Sequence, residues 1–492
     1  QVPSYLLAVV VGLLHRVDDG ALHGMPVAQF APSSVISKDA LVRTTKCTKE
    51  VLEFLETDMN FGRIPWAKYF QVVTSKEDGG MENVSLVTMG MRFLLDTDGD
   101  VAENTWMTER LIVHEAAHTF FGNEVVIRDF SHLWVKESFA TLLPHIFARE
   151  RRGQEYFDLL YFFDFERYRE TCQSSLRAPF ARIKKHADEM YDMHSYSGGT
   201  MRLWMLIKKL GEETFWQAVR YFLKTYRSKT IETDNFRSAL ERVSFVSLEG
   251  WFDQWIKTPY FPVLSVNVQE SRNGVHVILE QTNASLVEFS IALRLVGRNT
   301  AGAAATQTLN AEFLRGVRTV SLAFTEVFTV EQIHFDAADT RLLYDIDRTV
   351  SSVPLAALHG TLATKDATLM TKLRCFELLV EKFPLSLEEL QRIYSSEQSW
   401  SVRAMLACTL WRSRTRPVAS QAFAWLLGHE TQPEVRNVAL LKLDRQFDPA
   451  VGPVVRSALL PLLGQLSRYS LGQALSFIAA QRIEGDYELV KR

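Results

Sequence analysis

At 492 residues, 47% of them hydrophobic and 23% charged, the chain is too long for a single core and has the make-up of a soluble globular protein of about three domains. A net charge of −3 gives no reason to expect nucleic acid as a partner, which would need a clustered basic surface. Four scattered cysteines, Cys47, Cys172, Cys375 and Cys408, exclude a disulfide framework, favour a reducing, cytoplasmic setting and read as packing residues.

The apolar run Tyr5–Leu14 is shorter than a membrane span and lacks the basic lead of a signal peptide; its valines predict a buried strand, and no membrane partner is expected. Residues 16–35, with Gly20, Gly24, Pro26 and Pro32, read as loop-rich. Ser37–Asn60 predicts a helix with Val42, Val51, Leu52 and Leu55 on one side. Short β-branched and aromatic runs between Phe61 and Thr88 predict a small sheet that contains Gly79-Gly80-Met81-Glu82-Asn83. Paired glycines let backbone approach a ligand, and a strand edge there could pair with an extended peptide; a plain hairpin turn is the alternative for Gly79-Gly80.

Between Leu111 and Thr141 lies His114-Glu115-Ala116-Ala117-His118, an H-E-x-x-H. On a helix two histidines four apart share a face, and a catalytic zinc wants a third protein ligand plus an open position. Glu137, 18 intervening residues later and inside a second predicted helix, is the candidate third donor. Gly122 and Asn123 end the first helix, so that the two helices can face each other across the metal. The apolar residues Val113, Ala116, Ala117 and Phe120 argue that the histidines are buried and need a partner. Thr141, one turn after Glu137, is a plausible supporting hydrogen-bond partner.

Residues 154–256 read as helical, with Trp204, Leu206, Phe215, Trp216, Val219 and Phe222 as core. From 263 to 348 alternating runs separated by turn residues predict a β-sandwich of about seven strands. After Pro354 the chain is helical again, and Leu373-Arg374, Val402-Arg403 and Val435-Arg436, at offsets of 29 and 33, predict stacked helix pairs.

Together, Gly-Gly-Met-Glu-Asn at 79–83, H-E-x-x-H and the Glu 18 residues on resemble the aminopeptidase N family of zinc metallopeptidases. Tyr196, in Ser195-Tyr196-Ser197-Gly198, falls where that family keeps a catalytic tyrosine in Tyr-x-Lys-Gly. The departures are Gly198 for the Lys, His132 for an Asp before Leu-Trp, and Lys136-Glu137-Ser138 for Asn-Glu-Gly. The resemblance implies a multidomain α+β architecture: a remnant strand of an absent amino-terminal β domain (1–20), a thermolysin-like catalytic domain (21–259), a β-sandwich (260–350) and a helical-repeat domain (351–492). By this comparison the chain is a fragment or a processed form.

The resemblance further implies a zinc-dependent aminopeptidase acting on peptides with a free amino terminus. One zinc would be held by His114, His118 and Glu137, with Glu115 as general base and Tyr196 on the oxyanion. Glu82 would hold the substrate amine within the Gly79, Gly80, Met81, Glu82, Asn83 motif. Two alternatives stay open: a catalytically weak or inactive scaffold of the same fold, and an epoxide-hydrolase-like relative, against which the segment 263–348 argues. Glu77 and Asp78 suit either a basic first substrate residue or a solvated turn. Nothing in the sequence sets an oligomeric state.

Overall fold

The first two strands form a hairpin: β1 (Leu14–Leu22) pairs antiparallel with β2 (Met25–Pro32), with a bulge between Asp18 and Ala21 and a two-residue turn at His23-Gly24. In this computed structural model residues 2–182, 186–443 and 451–481 are described; the parts of the expected helical-repeat domain at 444–450 and 482–492 lie outside them. The stretch read as loop-rich is therefore strand, because its glycines serve the bulge and the turn. Tyr5–Leu14 is correspondingly not the buried strand expected. Ser4–Leu6 is a 3-10 turn, and Leu7, Val9, Val11 and Leu13 are 70–90% exposed. Valine favours a strand through packing on a neighbour, and among the described residues no strand pairs with 7–12.

The predicted helix 37–60 is broken into α1 (Lys38–Thr45), α2 (Thr48–Glu53) and a π-helical turn, Phe54–Asp58. Val51, Leu52 and Leu55 are buried as expected, while Val42 on the separate α1 faces out. Next come β3 (Tyr69–Thr74), β4 (Gly80–Met81) and β5 (Leu86–Gly90), which complete a sheet of order β1-β2-β3-β5-β4. Its β2–β3 and β3–β5 pairs are parallel, and β4 is an edge strand antiparallel to β5. The Gly79–Asn83 motif thus runs along a sheet edge.

The long helix α3 (Asp98–Ala117) starts at a capping box in which Thr97 accepts from Asp100 N and the Asp100 carboxylate accepts from Thr97 N, both at 3.0 Å. A short strand β6 (Val126–Ile127) leads to α4 (Leu133–Arg152) and α5 (Gln154–Ser174). After them come α6 (Gly199–Leu210), α7 (Glu212–Tyr226), β7 (Thr230–Ile231), which pairs with β6, α8 (Thr233–Ser244) and α9 (Glu249–Trp255). Trp204, Leu206, Phe215, Trp216, Val219 and Phe222 are all buried among them.

These elements belong to one compact unit, which runs to Pro259 and takes in Gln465–Tyr469; a second unit begins at Tyr260. In the second, β8 (Val263–Ser271), β9 (Gly274–Gln281), β10 (Phe289–Arg298), β11 (Ala304–Phe313), β12 (Thr319–Phe324), β13 (Thr329–Phe335) and β14 (Asp345–Ile346) form two sheets of order β12-β9-β8-β14 and β11-β10-β13. Val266, Val277 and Leu279 of one and Leu293, Leu295 and Ile333 of the other are buried, as the inward faces of a sandwich are. Helices α10 (Leu355–Ala363), α11 (Leu369–Lys382), α12 (Leu387–Ser396), α13 (Trp400–Arg412), α14 (Pro417–His429), α15 (Pro433–Leu441) and α16 (Gly452–Leu459) follow. Odd-numbered helices pack in one layer and even-numbered ones in another. Leu373, Val402 and Val435, the repeated positions, are buried in successive odd helices. Among the described residues no helix is long and apolar enough to cross a membrane.

Candidate active site

His114 and His118 project from the last turn of α3, their Nε2 atoms 3.2 Å apart. Glu137, in the first turns of α4, presents Oε2 at 3.4 Å from each. A tetrahedral zinc with arms of about 2.0–2.1 Å sets its donors about 3.3 Å apart, so this triangle is the size such an ion requires. Two further observations fit a cation. His118 Nδ1 lies 2.9 Å from the Phe121 carbonyl, which takes the ring proton on that side and leaves Nε2 a lone pair. Among the described residues the buried Glu137 Oε2 has no hydrogen-bond partner.

The charges around the triangle act in the same sense. Burial opposes a charged His118, yet Glu82 and Glu137 outweigh it and carry the imidazole up to about 9, so that a positive charge is favoured at Nε2 and a metal there would take the place of a proton. Burial likewise opposes the Glu137 carboxylate, but Lys136 and His118 hold it well below the usual range.

Glu115 is buried, and burial first, with the charges of Glu82 and Glu137 behind it, pushes its carboxyl up to about 8. Its Oε2 has no partner among the described residues. Gly80 on β4 lies so close that a β-carbon there would run into this carboxylate. That explains the second glycine of the motif: the sheet edge approaches the helix because it carries no side chain.

Tyr196 sits in a π-helical turn, His194–Gly198, and its ring stacks on His114 with centroids 5.9 Å apart and planes 12° from parallel. The turn is anchored by Ser197 Oγ donating to Asp164 at 2.8 Å and by Ser138 Oγ donating to the Ser195 carbonyl at 2.8 Å. Burial, then the Glu137 charge, raises the Tyr196 phenol, so it remains an O–H donor. Gly198 has a steric cause as well. A β-carbon there would meet the Tyr168 ring at 2.6 Å, which leaves no room for a lysine.

The other expected residues are less simply placed. Glu82 is buried at the end of β4, and its carboxylate is ion-paired with Lys136 Nζ, itself 3.1 Å from Glu137 Oε1. The rings of Tyr5 and Tyr191 lie 5.6 and 5.7 Å from the same ammonium, and Lys136 is 1% exposed. Asn123 Nδ2 donates to the Glu82 carbonyl at 2.9 Å, beyond its expected part in ending the helix. Of the remaining motif residues, the Gly79 carbonyl accepts from Gly90 N at 2.7 Å, Met81 pairs with Thr88 across the strands, and Asn83 Nδ2 reaches Thr88 Oγ1 at 3.5 Å. Thr141 is not the support expected for the ligands: its buried hydroxyl makes no hydrogen bond among the described residues. His132 instead ties the start of α4 to Thr233 on α8, Nδ1 accepting from Thr233 N at 2.9 Å.

The sequence marked Lys136 only as a departure, and Tyr191 and the Asp164 hub not at all. Tyr191 follows no periodicity that would have singled it out, and Asp164 was hidden inside an ordinary helical pattern.

Residues 43–255, which include all the donors above, match the peptidase family M1 domain. The resemblance to aminopeptidase N relatives is borne out across this segment. Aminopeptidase 2, mitochondrial, of Saccharomyces cerevisiae is 29% identical over 281 residues, 56% of this chain and 29% of its own length. Leucyl aminopeptidase of Saccharolobus solfataricus is 27% identical over 295 residues, 58% of this chain and 36% of its own. Aminopeptidase M1-D of Oryza sativa is 27% identical over 285 residues, 56% and 32%. The matches span about a third of the length of these relatives. The structure of Legionella pneumophila aminopeptidase A in complex with aspartic acid shares the fold, with a TM-score of 0.61 at 17% identity over 99% of this chain and 58% of that one.

Proposed function

We propose that the M1 domain is the catalytic part of a zinc-dependent aminopeptidase that removes the first residue of peptides with a free amino terminus. The observation that carries this reading is the triangle of His114 Nε2, His118 Nε2 and Glu137 Oε2, with edges of 3.2, 3.4 and 3.4 Å. Zinc, when bound there, lowers the pKa of water to roughly 7 and polarises a carbonyl.

Glu115 takes the proton from the attacking water and returns it to the leaving nitrogen. A carboxyl raised by burial has the proton affinity for both steps. The Tyr196 hydroxyl donates to the oxygen on which negative charge develops, and its turn, fixed through Ser197 and Ser138, requires no rearrangement to do so. Gly79 and Gly80 on the sheet edge offer backbone to an extended peptide. Glu82 receives the substrate amine beside Lys136.

One observation favours a second reading. Because the Lys136 ammonium already pairs with Glu82, the site could be a peptidase indifferent to the terminal amine. Aminoacyl amides with free and N-acetylated amines separate the two. The first reading expects the free form to be cleaved at least about tenfold faster, the worth of a charged hydrogen bond. Equal rates would establish the second, and no hydrolysis of either by zinc-loaded protein would remove both.

A further inference from the structure

Beside the metal triangle lies a cavity of about 220 Å³ whose near wall is Gly80, His114, Glu115 and Tyr196. Its far wall is basic. Arg110 stands one helical turn before His114 on α3, Arg92 comes from the 3-10 turn Met91–Phe93 after β5, and Arg167 comes from α5. Three separate elements thus bring guanidinium groups to one place.

The anions facing them do not balance them. Asp164 accepts from Arg110 at 2.8 Å, but the same carboxylate also accepts from Ser197 at 2.8 Å and holds His145 Nε2 at 2.8 Å. Glu170 faces Arg167 from an exposed position, and Glu115 stands on the metal side of the cavity. Arg110 and Arg167 lie over the Phe163 ring at 5.6 and 5.5 Å, and Arg92 over Phe93 at 4.7 Å. Burial and the neighbouring Arg110 charge depress Arg167, which shows how closely like charges are held.

Two polar groups await a partner in the same place. Among the described residues Arg110 Nε is buried without a hydrogen bond, and so is the hydroxyl of Thr141, 1% exposed, on the cavity wall. Guanidinium forks and an unpaired hydroxyl around a small cavity match a carboxylate, which takes two parallel N–H donors from an arginine.

We propose that this cavity receives a carboxylate of the peptide being cleaved, so that the protein favours substrates carrying a negative charge next to the scissile bond. The proposal rests on the peptidase reading above. The carboxylate could be an acidic side chain or the terminal carboxylate of a short peptide.

The test uses the zinc-loaded chain and two matched pairs: glutamyl and glutaminyl arylamides for the side chain, and alanylalanine and its amide for the terminus. One carboxylate member should exceed its neutral partner in kcat/KM by about tenfold to a hundredfold, as for other charge-assisted bonds. R92Q and R167Q should each shrink that ratio by roughly tenfold, with R167K retaining part of it. In parallel, glutarate binding followed by calorimetry should weaken in the two glutamine variants, with thermal melts confirming that they fold. If no substrate is turned over but glutarate binding depends on Arg167, the carboxylate site stands and the peptidase reading falls. Turnover without preference in either pair, or ratios and glutarate binding untouched by both variants, would overturn the proposal and leave the peptidase reading in place.

Discussion

On the Glu82 side of the candidate site a buried ammonium, two carboxylates and two tyrosine rings satisfy one another; on the Arg110 side three guanidiniums line one cavity, and the fully buried Asp164 carboxylate pairs with Arg110. Both sides are built on the helices that carry the histidines and Glu137, yet they pose opposite problems to an incoming ligand. A substrate amine approaching Glu82 meets Lys136 first. Like charges about 4 Å apart cost on the order of 4 kcal/mol at an effective dielectric near 20. An anion entering the cavity meets Asp164 on Arg110, but Arg92 and Arg167 are not ion-paired among the described residues. In the first region charge is spent on holding the protein's own residues, and in the second it is left for a ligand.

The comparison presupposes a shared catalytic centre, and the largest effects are expected there. Glu115→Gln should keep the zinc while lowering kcat by about 10²–10⁴, the usual worth of a positioned general base; full loss of zinc in this variant would make Glu115 a ligand instead. Next, Tyr196→Phe should lower kcat by about 10²–10³ with KM little changed, as for loss of an oxyanion donor. A rate equal to the parent's would make the ring a packing partner of His114 only.

Lys136→Asn bears on the self-satisfied side. Removing the competing ammonium should raise the ratio of free-amine to N-acetyl turnover by about tenfold or more, and a falling ratio would mean that Lys136 assists amine binding. The smallest effect concerns the helix that serves both sides. Thr97→Ala removes the cap of α3 and should cost about 1 kcal/mol in denaturant unfolding, with selectivity toward amines and carboxylates unchanged. A change in selectivity would show that the two walls move with the helix start.

The parts of this arrangement that follow a local period were legible in the sequence. Histidines at i and i+4, a glycine stop and an apolar second helix are short-range signals, and they mark His114, His118 and Glu137 as candidates to face one another across two helices. The sandwich was legible for the same reason, since alternation and Asn-Gly turns such as Asn273-Gly274 are local. What stayed hidden depends on residues far apart in the chain. Lys136 meets Glu82 across 54 positions, and Arg110 meets Asp164 across the same number. The run from Tyr5 failed for a different reason: it has strand composition, but a strand is defined by its neighbour, and among the described residues no strand pairs with 7–12.

The most direct test of the central claim is the zinc content of the purified, extensively dialysed protein beside that of His118→Ala. The account predicts about one zinc per chain in the parent, none in the variant, and peptide hydrolysis that vanishes with chelation and returns with zinc. A parent that binds no zinc, or a His118→Ala variant that binds it as well as the parent, would contradict the account.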